Sequence, residues 1–200
     1  MTITETRMAT IERDTRETQV RLTLSLDGTG RGTRETGVGF LDHMLDLLAR
    51  HARLDLDIAV TGDLQTGAHH TVEDTAIVLG RAVDVALADR AGITRYGSAS
   101  IPMDEARASC AIDISGRPFT LFEAALPPGG TGGFDHELAE EFFRAFAIAA
   151  KLTLHLRVEA GTNAHHMIEA AFKAFARALR GAIALDPTET GVPSTKGTLT

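Results

Sequence analysis

Two hundred residues, 44% of them hydrophobic, are enough for one large domain or for two small halves sharing a core without a structural metal or disulfide. A net charge of −7 argues against a nucleic-acid binder, which would carry a basic face, and the lone Cys110 excludes an internal disulfide and a thiolate metal cage. No apolar run approaches membrane-spanning length and MTITETRMAT has no apolar signal region, so a cytoplasmic protein is expected.

In chain order, Val20–Leu26 alternates apolar and polar residues, as a half-buried strand does, and Phe40–His51 follows with helical spacing. Leu54, Leu56, Ile58 and Val60 mark a second strand. A loop at Thr61–Ala68 then leads into a helix over about Thr71–Asp89. After a joint at Asp89–Tyr96 the order returns. Ala106, Ala108, Cys110, Ile112 and Ile114 mark a strand with Pro118–Ala125 as its partner, and PPGGTGG at Pro127–Gly133 is a loop. Phe134–Ala150 reads as a helix, Leu152–Val158 as a strand, and His166–Ile183 as a final helix. LDLDIAV overlies LTLHLRV at an offset of 98 residues, and AHHTVEDTA overlies AHHMIEAAF at 96. The reading is therefore an α+β fold made of two β-β-α-β-α repeats: 1–89 as the first half, 90–185 as the second, and 186–200 as a tail.

Four of the eight histidines lie in two copies of one pattern, His69-His70-Thr-Val-Glu73 and His165-His166-Met-Ile-Glu169. At a helix start, the first His and the Glu are i and i+4, and the second His and the Glu are i and i+3. Adjacent histidines point in different directions, so each can serve a different ion. Imidazole and carboxylate donors without thiolate suit Mn, Fe, Co or Zn at octahedral or open sites. The repeat adds a third position, because His43, shifted by 98, falls on Glu141. His136 and His155 read as structural or exposed. His51, ending a helix, reads as a possible substrate contact, and Cys110 as a small buried apolar residue.

These residues sit within longer segments: GVGFLDHML, GDLQTGAHHTVEDTAIVLG, RYGSASIPMDE, DISGRPF, NAHHMIEAAFKAFARALR and the tail PSTKG. Together they resemble the imidazole-glycerol-phosphate dehydratase family over nearly the whole chain. The resemblance implies a duplicated fold of the ribosomal protein S5 domain 2-like kind, a particle of twenty-four subunits, and active sites formed between subunits. Each site would hold two Mn²⁺ ions on His43, His69, His70, Glu73, His165, His166 and Glu169, with Glu141 where many members have His. It further implies phosphate binding by Arg95, Arg117, Lys173, Ser194, Thr195 and Lys196, and an acid/base role for Glu17, which also contacts substrate. The expected reaction converts imidazole glycerol phosphate to imidazole acetol phosphate and water, with both ring nitrogens on metal so that the ring is held as imidazolate. A binuclear metallohydrolase is the alternative.

Overall fold

The computed structural model describes residues 7–199; the first six residues and Thr200, which fall within the first half and the tail as read from sequence, lie outside the described residues. The first half contains β1 (Met8–Asp14), β2 (Thr18–Ser25), β3 (Arg34–Glu35), α1 (Gly39–Ala52), β4 (Asp55–Gly62) and α2 (His69–Ala86). The second contains β5 (Tyr96–Met103), β6 (Ala106–Asp113), β7 (Phe119–Glu123), the small hairpin β8 (Gly130–Thr131) and β9 (Phe134–Asp135), α3 (Leu138–Ala149), β10 (Thr153–Ala160) and α4 (Ala164–Ile183).

Each half builds one four-stranded sheet, in the orders β1-β2-β4-β3 and β5-β6-β10-β7. The apolar alternation sets the register: Val20, Leu22 and Leu24 lie opposite Val60, Ile58 and Leu56, while Cys110 and Ile112 lie opposite Leu156 and Leu154. β3 and β7 pair parallel to β4 and β10, which requires the helical crossovers through α1 and α3. The duplicated α+β arrangement is as expected, with one further strand opening each half. β1 and β5 sit at sheet edges. β1 buries Ala9 alone, and β5 is small and polar through its middle (residues 97–100) with Pro102 near its end, so neither gives a strong period-two signal in its sequence. The helix expected from Phe134 begins at Leu138, because Phe134–Asp135 is drawn into the hairpin with Gly130–Thr131.

The helices pack across the halves: α1 lies along α4, and α2 along α3. Gly80 in α2 makes the second pairing possible, since a Cβ there would stand 2.6 Å from the Phe146 carbonyl oxygen and 2.8 Å from the Ala149 Cβ. Phe142, Phe143, Phe146, Phe172 and Phe175 are fully buried around these helices. Their ring centroids lie 4.7–5.5 Å apart, within the range where aromatic pairs add about 0.5–1.5 kcal/mol beyond area burial. Among the described residues, no helix is long and apolar enough to cross a membrane.

Candidate active site

The two HHxxE segments form the first turns of α2 and α4. In α4 the Asn163 side chain accepts the backbone N–H of His165 at 2.9 Å, an N-cap that fixes where the helix starts. In α2 the anchor is Asp74, which follows Glu73 and turns inward, taking hydrogen bonds from Arg13 at 2.8 Å and from Thr18. Adjacent histidines in each segment stand nearly perpendicular, at 87° for His69 and His70 and 85° for His165 and His166. They therefore point in different directions, as their places in the helix dictate.

The cross-packing of helices then assembles two clusters, His43 with His165 and Glu169, and His69 with Glu73 and Glu141. Each draws one residue from the first helix of one half and two from the second helix of the other. Within each cluster the donor atoms lie within 4.8 Å of one another, close to the ~4 Å span of donors about 2.1 Å from one ion. Glu169 Oε2 stands 3.1 Å from His165 Nε2 and 3.6 Å from His43 Nε2, while its Oε1 takes Lys173 Nζ at 2.5 Å. Burial works against ionised Glu169, yet Lys173 leads the contacts that hold its carboxyl below the ordinary value. Phe40 forms an apolar wall, its ring centroid 5.0 Å from that of His165. The other cluster is more open: His69 Nε2 is 4.0 Å from Glu73 Oε2, and Glu141 is ion-paired with Arg144. Imidazole and carboxylate donors, with no thiolate, fit a divalent ion that prefers N and O ligands, and three donors leave half of an octahedron to be filled.

His70 and His166 stand outside both clusters. His70 Nδ1 faces Asp63 at 3.0 and 3.1 Å, and His166 Nδ1 faces Glu105 at 2.8 Å. These contacts raise both imidazoles above their ordinary value. Glu105 is lowered to about 2 by His166 and by the backbone N–H groups of Asn163 and Thr162. On the Nε2 side, Glu17 lies 3.9 Å from His70 and Asp104 lies 3.9 Å from His166, each carried by the hairpin turn that opens its half. Asp63, Asp104 and Glu105 escaped the sequence reading. For Asp104 and Glu105 a signal exists in retrospect, since the β5–β6 turn occupies the same place in the repeat as the β1–β2 turn that carries Glu17.

The expected phosphate residues divide into two groups. Arg95 donates to Asp113 at 2.7 Å and to the Pro193 carbonyl at 2.8 Å, which ties it to the tail just before Ser194, Thr195 and Lys196. The tail is held rather than loose: Leu199 is buried, its carbonyl accepts from Arg90, and it passes Gly116, whose added Cβ would meet the Leu199 oxygen at 2.1 Å. Arg117 follows that glycine. Lys173 belongs instead with Glu169, and no hydrogen bond or ion pair among the described residues joins it to Arg95, Arg117 or the tail. His51 is half-buried near Lys173, and burial first, then the charges of Lys173, Arg177 and Arg50, push its imidazole down. His136 is structural, with Nδ1 2.8 Å from the Pro127 carbonyl and Nε2 3.1 Å from Thr131. His155 lies on the open sheet face against Phe119, and burial pushes the Cys110 thiol up, leaving it inert.

Residues 36–179 match the family model described as imidazoleglycerol-phosphate dehydratase. The imidazoleglycerol-phosphate dehydratase of Symbiobacterium thermophilum is 58% identical over 193 residues, covering 96% of this chain and 93% of that one. The enzyme of the same description from Azorhizobium caulinodans is 56% identical over 194 residues, covering 96% and 98%. Among solved structures, the Staphylococcus aureus imidazoleglycerol-phosphate dehydratase superposes with a TM-score of 0.82 at 43% identity, covering 90% of this chain and 99% of that one. The Pyrococcus furiosus protein in complex with (S)-C348 gives 0.82 at 35% identity, covering 94% and 100%.

Proposed function

Because this chain belongs to the imidazoleglycerol-phosphate dehydratase family, we propose that its two cross-half clusters are the metal centres of the family's hydro-lyase reaction. The chain catalyses dehydration of D-erythro-imidazole-glycerol phosphate to imidazole-acetol phosphate in histidine biosynthesis, which sets aside the metallohydrolase alternative. The observation that carries the placement is that His43, His165 and Glu169, and separately His69, Glu73 and Glu141, bring three donors each to one point.

Two Mn²⁺ ions per site are the proposed cofactor, and when bound they supply Lewis acidity to the substrate's imidazole ring and favour loss of its proton. His70 and His166, turned away from their own clusters, would complete the ions of neighbouring copies in a homo-oligomer of twenty-four subunits. Arg95, Arg117, Ser194, Thr195 and Lys196 would grip the phosphate, where guanidinium groups offer bidentate donors and Lys196 adds a point charge. Lys173 and His51 would bound the ring end of the pocket. Elimination takes a proton from one carbon and a hydroxyl from its neighbour. Glu17, exposed on a turn beside His70, is the group we assign to moving that proton. A cytoplasmic location follows as part of the same reading.

The test is a dehydratase assay coupled to elemental analysis. Chelation should abolish turnover, Mn²⁺ should restore it, and active protein should hold two ions per chain. Full activity with one ion or none would sink the two-centre assignment.

A further inference from the structure

Outside the two clusters, four carboxylates surround the second histidines, and two of them do something more specific than supply charge. An imidazole can ligate only through a nitrogen that carries no proton, and the partner of the other nitrogen decides which one that is. Asp63 faces His70 Nδ1 with both oxygens, at 3.0 and 3.1 Å, and Glu105 faces His166 Nδ1 with Oε2 at 2.8 Å. Ionised carboxylates only accept, so each requires Nδ1 to carry the hydrogen and, in the neutral ring, leaves Nε2 with the lone pair. Both carboxylates are themselves fixed. Asp63 also accepts from Thr66 Oγ1 at 3.1 Å, and Glu105 Oε1 takes the backbone N–H groups of Asn163 at 2.9 Å and Thr162 at 3.2 Å.

The two contacts are not copies of each other. Asp63 lies just after β4, and the offsets of 98 and 96 would carry it to Gly161 or Glu159, not to Glu105. Glu105 lies in the β5–β6 turn, whose counterpart in the first half is the β1–β2 turn. The same clamp is therefore made twice from unrelated places, which inheritance through the duplication does not account for. Among the described residues, no such bond is made to Nδ1 of His69 or His165, whose rings already meet their glutamates within a cluster. The clamps single out the two histidines that stand alone.

We propose that Asp63 and Glu105 are positioning residues that lock His70 and His166 in the Nδ1–H tautomer, so that Nε2 is presented for metal beyond the chain's own clusters. This rests on the reading of His70 and His166 as metal ligands. Outer carboxylates of this kind change metal affinity by about tenfold to a hundredfold.

Metal-free full-length protein is titrated with Mn²⁺ while free ion is followed by electron paramagnetic resonance. Histidine tautomers are read separately by ¹⁵N solid-state NMR on the same metal-free protein. His70→Ala and His166→Ala should each lose one of two tightly held ions; if neither does, the ligand reading fails and the proposal falls with it. Given that loss, Asp63→Ala and Glu105→Ala should each weaken one ion by about tenfold to a hundredfold and let the facing ring populate both tautomers. Asp63→Asn and Glu105→Gln keep an oxygen that accepts the Nδ1 hydrogen, and should keep the tautomer and lose less affinity. Thr66→Ala removes one of the bonds that hold Asp63 while leaving its carboxylate on His70 Nδ1, and should keep the tautomer and weaken the ion less than Asp63→Ala does. Affinity lost with the tautomer unchanged would reduce the carboxylates to charge attraction and overturn the proposal. So would an Nε2–H tautomer at either ring in the wild-type protein, an outcome that depends on no variant folding.

Discussion

The two halves of the chain share strand order, register and helix placement, yet they fill that frame differently. Where α1 buries Met44, Leu45 and Leu48, α3 buries Phe142, Phe143 and Phe146 at the equivalent positions. Where β4 anchors the β2–β3 loop with Asp55, β10 anchors the β6–β7 loop with Thr153, whose hydroxyl donates to the Arg117 carbonyl at 3.2 Å. His43 corresponds to Glu141, and Lys173, clasped to Glu169, corresponds to Ile77. Apolar bulk has been exchanged freely between the halves, because a core asks for volume and shape. The proposed metal-binding positions changed only from one residue type able to ligate to another. The first half has only the apolar Ile77 in place of Lys173 and nothing in place of the tail beyond residue 185, so the proposed site is asymmetric in its substrate contacts although it is nearly symmetric in its proposed ligands.

The largest effect should come from removing one carboxylate of each half. Glu73→Ala and Glu169→Ala are both expected to lose one ion of two and all measurable turnover, checked by elemental analysis and assay. Unequal losses would break the equivalence of the two clusters. If inactive His69→Ala and inactive His166→Ala regain activity on mixing, the sites are shared between copies. A smaller effect is expected where only the second half contributes. Lys196→Ala should raise KM about tenfold to a hundredfold with metal content unchanged, the worth of a charged hydrogen bond at about 1.5–3 kcal/mol.

Gly80 corresponds to Ala176 in α4, so Gly80→Ala places the second half's residue in the first. With the Phe146 carbonyl only 2.6 Å from the added Cβ, thermal unfolding should show a loss of about 1–3 kcal/mol. The smallest effect concerns the loop anchors. Backbone N–H groups of Arg31, Thr29 and Gly30 hold the Asp55 carboxyl below its ordinary value of 3.8, whereas Thr153 does not titrate. A lowered native value means that the folded form binds fewer protons. The contribution is therefore complete above the unfolded value and lost as pH falls through the window beneath about 3.8. Asp55→Thr should cost about 1 kcal/mol at neutral pH and make acid unfolding less steep there, as followed by circular dichroism against pH.

Much of this was legible in the chain itself. The interior strands β2, β4, β6 and β10 declare themselves by strict alternation, and the paired HHxxE segments by residue type, helical spacing and duplication. β1 and β5 were not legible, because edge strands bury little and carry no strong period. Asp63 was not legible either, since a carboxylate in a loop looks the same whether it faces water or an imidazole ring, and Asp104 and Glu105 could be matched to the Glu17 turn only once β1 and β5 were placed.

The sequence by itself determined the duplication, the candidate ligand types and the local geometry of His69, Glu73, His165 and Glu169, because positions four apart on a helix are neighbours wherever the helix lies. Only the tertiary structure decided that His43 joins His165 and Glu169 while Glu141 joins His69 and Glu73. That choice follows from α1 lying on α4 and α2 on α3, a pairing of apolar faces that non-directional burial permits in several ways. The bare approach allowed at Gly80 and the close fit of the phenylalanine rings help select this arrangement.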